Sequence, residues 1–221
     1  MNRRELACIL DHSVLKPEAT EPDVRAGADV VRALQLGYYC VQPCWVATAA
    51  EALADTTARI VSVVGFPHGC DCTEVKARAA ALAIADGAAE IDMVLNIGAL
   101  RSAEAQRVAA DIEAVVLAAQ GAPVKVILET AALTDSEKRL ACRLAVDAGA
   151  AFVKTSTGFH PSGGATIADV RLLRASVGPR FGVKASGGIR TLADAQAMIA
   201  AGASRIGTSA SGAMLAELGP D

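Results

Sequence analysis

The chain has 221 residues, of which 52% are hydrophobic, 20% charged and only 3% aromatic, and its formal net charge is −3. This length fits one domain spanning residues 1–221 with a large buried core, and the hydrophobic content excludes global disorder. Because no segment concentrates lysine or arginine and aromatic residues are scarce, we expect no nucleic acid and no membrane surface as a partner.

Targeting signals and metal-ligand patterns are weak throughout the sequence. No apolar stretch approaches the ~20 residues of a membrane span, and the N-terminal residues lack the apolar core of a signal peptide, so we expect a cytoplasmic protein. The spacings Cys40-x₃-Cys44 and Cys70-x-Cys72 do not match paired zinc ligands, and the chain has only three histidines. We therefore predict reduced cysteines, no metal and no cofactor.

The predicted elements alternate in chain order. Helix-like segments end at a glycine, for example Gly87 and Gly149, and a short apolar strand begins within a few residues. Capping patterns such as Thr134-x-x-Glu137 mark helix starts. The pattern predicts eight strands, at Cys8–Asp11, Tyr38–Gln42, Ile60–Gly65, Glu90–Val94, Val124–Glu129, Phe152–Lys154, Phe181–Lys184 and Arg205–Gly207.

Strict alternation of strands and helices predicts parallel strands joined by right-handed crossovers. Eight such units in a chain of this length favour an α/β fold of the closed (β/α)₈ TIM-barrel type. An open doubly wound sheet is the alternative, but it would normally use fewer strands. No G-x-G-x-x-G motif follows the first strand, so a dinucleotide-binding fold has little support.

Charged residues lie where an apolar barrel core would not place them. Strand alternation directs Asp92 into the barrel, and two later strands carry Lys154 and Lys184 near their carboxyl ends. Asp11 ends the first strand in the same way, and Glu129 ends the fifth, where it could pair with an inward lysine.

The two lysines together predict a nucleophilic amine. Ammonium groups ~4–5 Å apart at an effective dielectric of ~20 repel by about 3.5–4 kcal/mol, which would bring the pKa of one of them from ~10.4 to about 7.5. Such a lysine can attack an aldehyde at neutral pH, whereas a single inward lysine would more often be structural. We therefore predict a Schiff-base enzyme in which Lys154 or Lys184 reacts.

Glycine-rich loops follow the last strands. Gly187 and Gly188 come after the seventh strand, and Gly207 and Ser209 end or follow the eighth. Glycines let backbone amides approach an anion, and the loops after strands seven and eight are the recurring phosphate site of barrels. Each pair alone could be an ordinary turn, but their joint placement predicts a small phosphorylated substrate.

Six segments in unbroken order resemble the deoxyribose-phosphate aldolase family. They are Leu10–Pro17, Val64–Gly69, Glu90–Gly98, Lys125–Thr130, Phe152–Phe159 and Val183–Arg190. The resemblance implies reversible cleavage of 2-deoxy-D-ribose 5-phosphate to acetaldehyde and D-glyceraldehyde 3-phosphate. It also implies that Lys154 carries the Schiff base, that Lys184 lowers its pKa and shares in proton transfer, and that Asp92 moves protons at the substrate hydroxyl.

We also expect Asp11 and Thr157 to bind the substrate, and the family resemblance suggests a homodimer as the assembly. The chain departs from some members in two places: Phe159 stands where they have a lysine, and no tyrosine follows Tyr39. Two other functions stay open at this point. One is a different sugar-phosphate aldolase or isomerase on a barrel, and the other is a silent binding protein that keeps the phosphate loops.

Overall fold

A computed structural model describes residues 1–219. The strands are β1 (Leu10–Val14), β2 (Tyr38–Val41), β3 (Arg59–Val64), β4 (Glu90–Val94), β5 (Val124–Ile127), β6 (Phe152–Lys154), β7 (Gly182–Ser186) and β8 (Arg205–Thr208). The helices are α1 (Arg3–Ile9), α2 (Glu21–Leu34), α3 (Val46–Ala52), α4 (Thr73–Ala85), α5 (Ile97–Arg101), α6 (Ala105–Ala118), α7 (Asp135–Asp147), α8 (Ile167–Val177), α9 (Leu192–Ala200) and α10 (Ser211–Ala216).

The eight strands form a closed barrel in which every strand runs parallel to both neighbours. The ring closes where β1 pairs with β8, with Asp11 beside Gly207. This confirms the predicted (β/α)₈ barrel. The register also places Lys154 directly beside Lys184 on β6 and β7, so the two lysines enter the site from adjacent strands at one level.

The N-terminal boundary differs from the prediction. Residues 3–9 form α1, and β1 begins only at Leu10. The reason lies in a capping box at Asn2: its side chain accepts a hydrogen bond from the Glu5 amide, and the Glu5 carboxylate accepts one from the Asn2 amide. These two bonds satisfy amides that the first turn of a helix would otherwise leave open.

Two later strand ends shift by two residues each. β5 ends at Ile127 rather than Glu129, because Glu129 adopts a left-handed backbone conformation that cannot continue a strand. β7 continues to Ser186, two residues beyond the predicted end. The predicted helix start at Thr134 is confirmed, with reciprocal bonds between Thr134 and Glu137.

The apolar core lies between the barrel and the helices. Alternate strand residues such as Ile91 and Met93 are fully buried and pack in this layer with Ala80 and Ala83 of α4. Small alanines let the helices approach the sheet closely, which suits a chain with few aromatic residues. No helix in the described part of the chain is long and apolar enough to cross a membrane.

Candidate active site

The inside of the barrel holds a group of charged side chains centred on Asp92. Its carboxylate is fully buried. Lys125 Nζ lies 2.7 Å from Oδ1, while Lys154 Nζ and Lys184 Nζ lie 2.7 and 2.8 Å from Oδ2. Because both bonds end on one oxygen, the Lys154 and Lys184 nitrogens are at most about 5.5 Å apart, a range in which charges interact strongly.

Lys184 has a second carboxylate partner, which Lys154 lacks among residues 1–219. Its ammonium group also bonds Asp11, a fully buried residue near the start of β1. Desolvation lowers the pKa of Lys184, but the nearby carboxylates of Asp11 and Asp92 outweigh it and raise that pKa. Lys184 therefore stays protonated at neutral pH.

Asp92 is held as an anion by its neighbours. Desolvation raises the pKa of its carboxyl group, but the positive charges of Lys125, Lys154 and Lys184 outweigh that effect and hold the pKa well below the usual value. With both oxygens occupied by ammonium groups, Asp92 acts in this arrangement as the counter-charge that gathers the lysines.

The charged group continues toward the amino end of the barrel. Lys125 Nζ lies 2.6 Å from the Glu90 carboxylate, and Arg205 lies 3.2 Å from the same carboxylate oxygen. The Arg205 guanidinium stacks 3.3 Å above the Tyr38 ring, where cation–π attraction adds to the ion pair. No pattern in the sequence singled out Glu90 or Arg205 as parts of the site.

The cations of this buried group outnumber its carboxylates by one. The cations are Lys125, Lys154, Lys184 and Arg205, and the carboxylates are Asp11, Glu90 and Asp92. An uncompensated charge in a buried site is costly, and a lysine removes it by losing a proton. Among the described residues, Lys125 and Lys184 each bond two of these carboxylates, whereas Lys154 bonds Asp92 alone.

A cavity of about 710 Å³ opens above these lysines at the carboxyl ends of the strands. All the predicted site residues except Asp92 line it: Asp11, Lys154, Thr157, Lys184, Gly187, Gly188, Gly207 and Ser209. Asp92 lies beneath the lysines instead of on the cavity wall. Lys16 and Arg190 also line the cavity; both lie in segments that carry the family resemblance, but neither was predicted as a site residue.

The late loops meet at one side of this cavity. Gly187 and Gly188 have φ values of +89° and +81°, a region that side-chain-bearing residues rarely adopt. The Ala165 amide donates to the Gly187 carbonyl, so the loops after β6 and β7 are in contact. A Cβ atom at Gly207 would lie 2.9 Å from Ser186 Cβ and 3.0 Å from Lys184 Cε, so a side chain at this position would crowd both residues.

A family model described as "DeoC/LacD family aldolase" matches residues 6–215 of this chain. The chain belongs to the DeoC/LacD aldolase family. The deoxyribose-phosphate aldolase of Enterococcus faecalis is 56% identical over 186 residues, 84% of either chain. That of Bacillus subtilis is 52% identical over 187 residues, 84% of this chain and 83% of the relative.

Solved structures agree with this assignment. The tetrameric deoxyribose phosphate aldolase from Aeropyrum pernix superposes with a TM-score of 0.91 at 33% identity, covering 98% of this chain and 92% of that one. A mandelate oxidase gives a TM-score of 0.62 at 19% identity and shares the barrel fold alone.

Two departures of this DeoC/LacD aldolase from other members concern Phe159 and the C terminus. Phe159 lines the cavity and packs edge-on against Phe66, with ring centroids 5.3 Å apart. The cavity therefore has an aromatic side at the position where some members have a lysine. The last residues, Pro220 and Asp221, lie outside the described part of the chain.

The surroundings of His12, Cys40 and Glu129 show how each of these side chains is bonded or protonated in this aldolase. His12 is buried, with Nδ1 3.1 Å from Ser211 Oγ, and burial lowers its pKa. Cys40 lines the cavity, and desolvation raises the pKa of its thiol to about 12, so the thiol stays protonated. Glu129 bonds Thr157 and not the inward lysine expected from the sequence. Within residues 1–219, no cluster of ligating side chains could hold a metal ion.

Proposed function

We propose that this chain is a deoxyribose-phosphate aldolase that reversibly cleaves 2-deoxy-D-ribose 5-phosphate to acetaldehyde and D-glyceraldehyde 3-phosphate. The observation that carries the proposal is the meeting of Lys154 and Lys184 on one Asp92 oxygen at the floor of the cavity. An enzyme using only carboxylate acid–base chemistry would need no such pair of lysines. The curated relatives at 52–56% identity carry the same activity in their names.

The first step is attack by the Lys154 amine on the substrate aldehyde. The nitrogen forms a bond to C1, the carbonyl oxygen takes up protons and leaves as water, and a protonated imine remains on Lys154. The Lys184 ammonium group lies close enough to disfavour a second positive charge on Lys154, and it can supply the proton to the departing oxygen.

The second step is cleavage of the bond between C2 and C3. A base removes the C3 hydroxyl proton, and the C2–C3 electron pair moves into the imine. D-glyceraldehyde 3-phosphate then leaves, and an enamine remains bound to Lys154. Protonation of the enamine carbon and hydrolysis then release acetaldehyde and free the lysine. We assign the proton transfers to Lys184 and Asp92, with water reaching Asp92 when the lysines shift in the bound state.

The phosphate end of the substrate would lie against the late loops. Among the described residues, the amides of Gly188 and Ser209 donate to no backbone or side-chain acceptor, and both residues line the cavity. With Gly187 and Gly207 allowing close backbone approach, these amides can bind phosphate oxygens. Lys16 and Arg190 at the same cavity add positive charge.

Borohydride trapping tests residue and mechanism together. Incubation with 2-deoxy-D-ribose 5-phosphate and sodium borohydride should leave a reduced two-carbon or five-carbon adduct, located on Lys154 by peptide mass analysis. Lys154→Leu should abolish both the adduct and turnover while the circular dichroism spectrum stays unchanged. Lys16→Leu removes another cavity lysine and should keep the adduct. An adduct on another lysine, or substantial turnover by Lys154→Leu, would refute the assignment.

For assembly and location we propose a cytoplasmic homodimer. The six cysteines all lie within the described residues and all are free, which fits a reducing compartment. The relative from Aeropyrum pernix is a tetramer, so subunit number differs within the family or a dimer is one half of a larger assembly. Light scattering coupled to gel filtration would measure the mass, and a single 22.5 kDa species would refute the dimer.

A further inference from the structure

Glu129 combines burial, an ionisable group and an unfavourable backbone. Its side chain is about 1% exposed, and its φ and ψ angles are 56° and 62°. The other described non-glycine residues with positive φ, Gln35, Ala103 and Gln120, each follow the end of a helix, where this conformation is common. Glu129 instead follows a strand, and such conformations persist where the surroundings hold them and often mark functional sites.

The Glu129 carboxylate is directed at the loop after β6. Oε2 accepts a hydrogen bond of 2.5 Å from Thr157 Oγ1 and one of 3.3 Å from the Thr157 amide. Thr157 lies three residues beyond Lys154 and lines the cavity. The strained residue that follows β5 therefore holds in place a cavity residue that follows β6.

These contacts determine what Thr157 offers to a ligand. A hydroxyl group has one hydrogen to donate, and Thr157 donates it to Glu129. One of its lone pairs accepts from the Phe159 amide at 3.1 Å, and the other meets no donor within residues 1–219. The Thr157 oxygen can thus accept a hydrogen bond from a substrate hydroxyl, but it cannot donate one to a carbonyl or phosphate oxygen.

We propose that Glu129 is a positioning residue for the aldol reaction, which orients the Thr157 hydroxyl as a hydrogen-bond acceptor for a substrate hydroxyl. This inference rests on the proposed function. Glu129 touches no substrate itself and acts only through Thr157.

A double-mutant cycle on kcat/KM for 2-deoxy-D-ribose 5-phosphate tests the coupling. Glu129→Ala and Thr157→Val should each lower kcat/KM by roughly tenfold, the scale of one lost hydrogen bond to a charged or reacting group. The double variant should be no worse than Thr157→Val alone. Glu129→Gln, whose carbonyl can still accept from Thr157, should recover most of the activity, which a requirement for fold stability alone does not predict.

Gln120→Ala is the matched control, because it truncates a side chain at the same backbone conformation away from the cavity and should keep full activity. If Glu129→Ala does not fold, Glu129→Asp, which withdraws the carboxylate by one methylene, takes its place in the cycle. Full activity of either variant, or losses that multiply to about a hundredfold in the double variant, would overturn the proposal. Failure of the proposed function would look different, because wild-type protein would then lack turnover and the Lys154 adduct.

Discussion

Replacing Lys184 with leucine should move the pH dependence of the reaction. The Lys184 ammonium group lies at most about 5.5 Å from Lys154 Nζ, so at an effective dielectric of ~20 it disfavours charge on Lys154 by about 3 kcal/mol. In Lys184→Leu that repulsion is gone while Asp92 remains. The acid limb of kcat/KM should then be displaced upward by about two pH units.

The assay is the cleavage rate of 2-deoxy-D-ribose 5-phosphate between pH 5 and 10, with the aldehyde product coupled to a dehydrogenase. Lys16→Leu is the matched control, because it removes a cavity lysine that has no bond to Asp92 among the described contacts, and its acid limb should stay in place. An acid limb in Lys184→Leu that coincides with that of wild type would refute the electrostatic coupling. That result would not contradict the assignment of the imine to Lys154.

Three further predictions concern the same buried charges. Asp92→Asn removes the anion bonded by three lysines; breaking such buried pairs costs about 3–5 kcal/mol, so the melting temperature should fall by roughly 10 °C in calorimetry. Gly207→Ala places a Cβ 3.0 Å from Lys184 Cε and should reduce kcat/KM by about tenfold, whereas unchanged kcat/KM would show that the lysine adapts. Because the folded-state pKa of Lys184 is raised, the stability that its charge contributes is present below the unfolded pKa of ~10.4 and is lost as pH rises through the folded value. The free energy of unfolding, measured with urea, should therefore fall less steeply above pH ~10.4 in Lys184→Leu than in wild type.

The alternation of apolar strands and capped helices was enough to predict the barrel, because the local sequence of each element shows its hydrophobic period and the signals that start and end it. The predicted start of the first strand at Cys8 was wrong because Asn2 and Glu5 form a capping box that begins a helix, and the strand prediction overlooked it. Strand alternation by itself directs Asp92, Lys154 and Lys184 into the barrel, and the family resemblance names the same three residues.

Only the tertiary structure decided which side chains are bonded to one another. Lys184 bonds Asp11 across the closure of the barrel, 173 positions away in the chain, and Glu129 bonds Thr157 instead of a lysine. Local sequence fixes which face of a strand a residue occupies. It cannot fix which distant residue lies opposite, because that depends on the register and shear with which eight strands close into a ring.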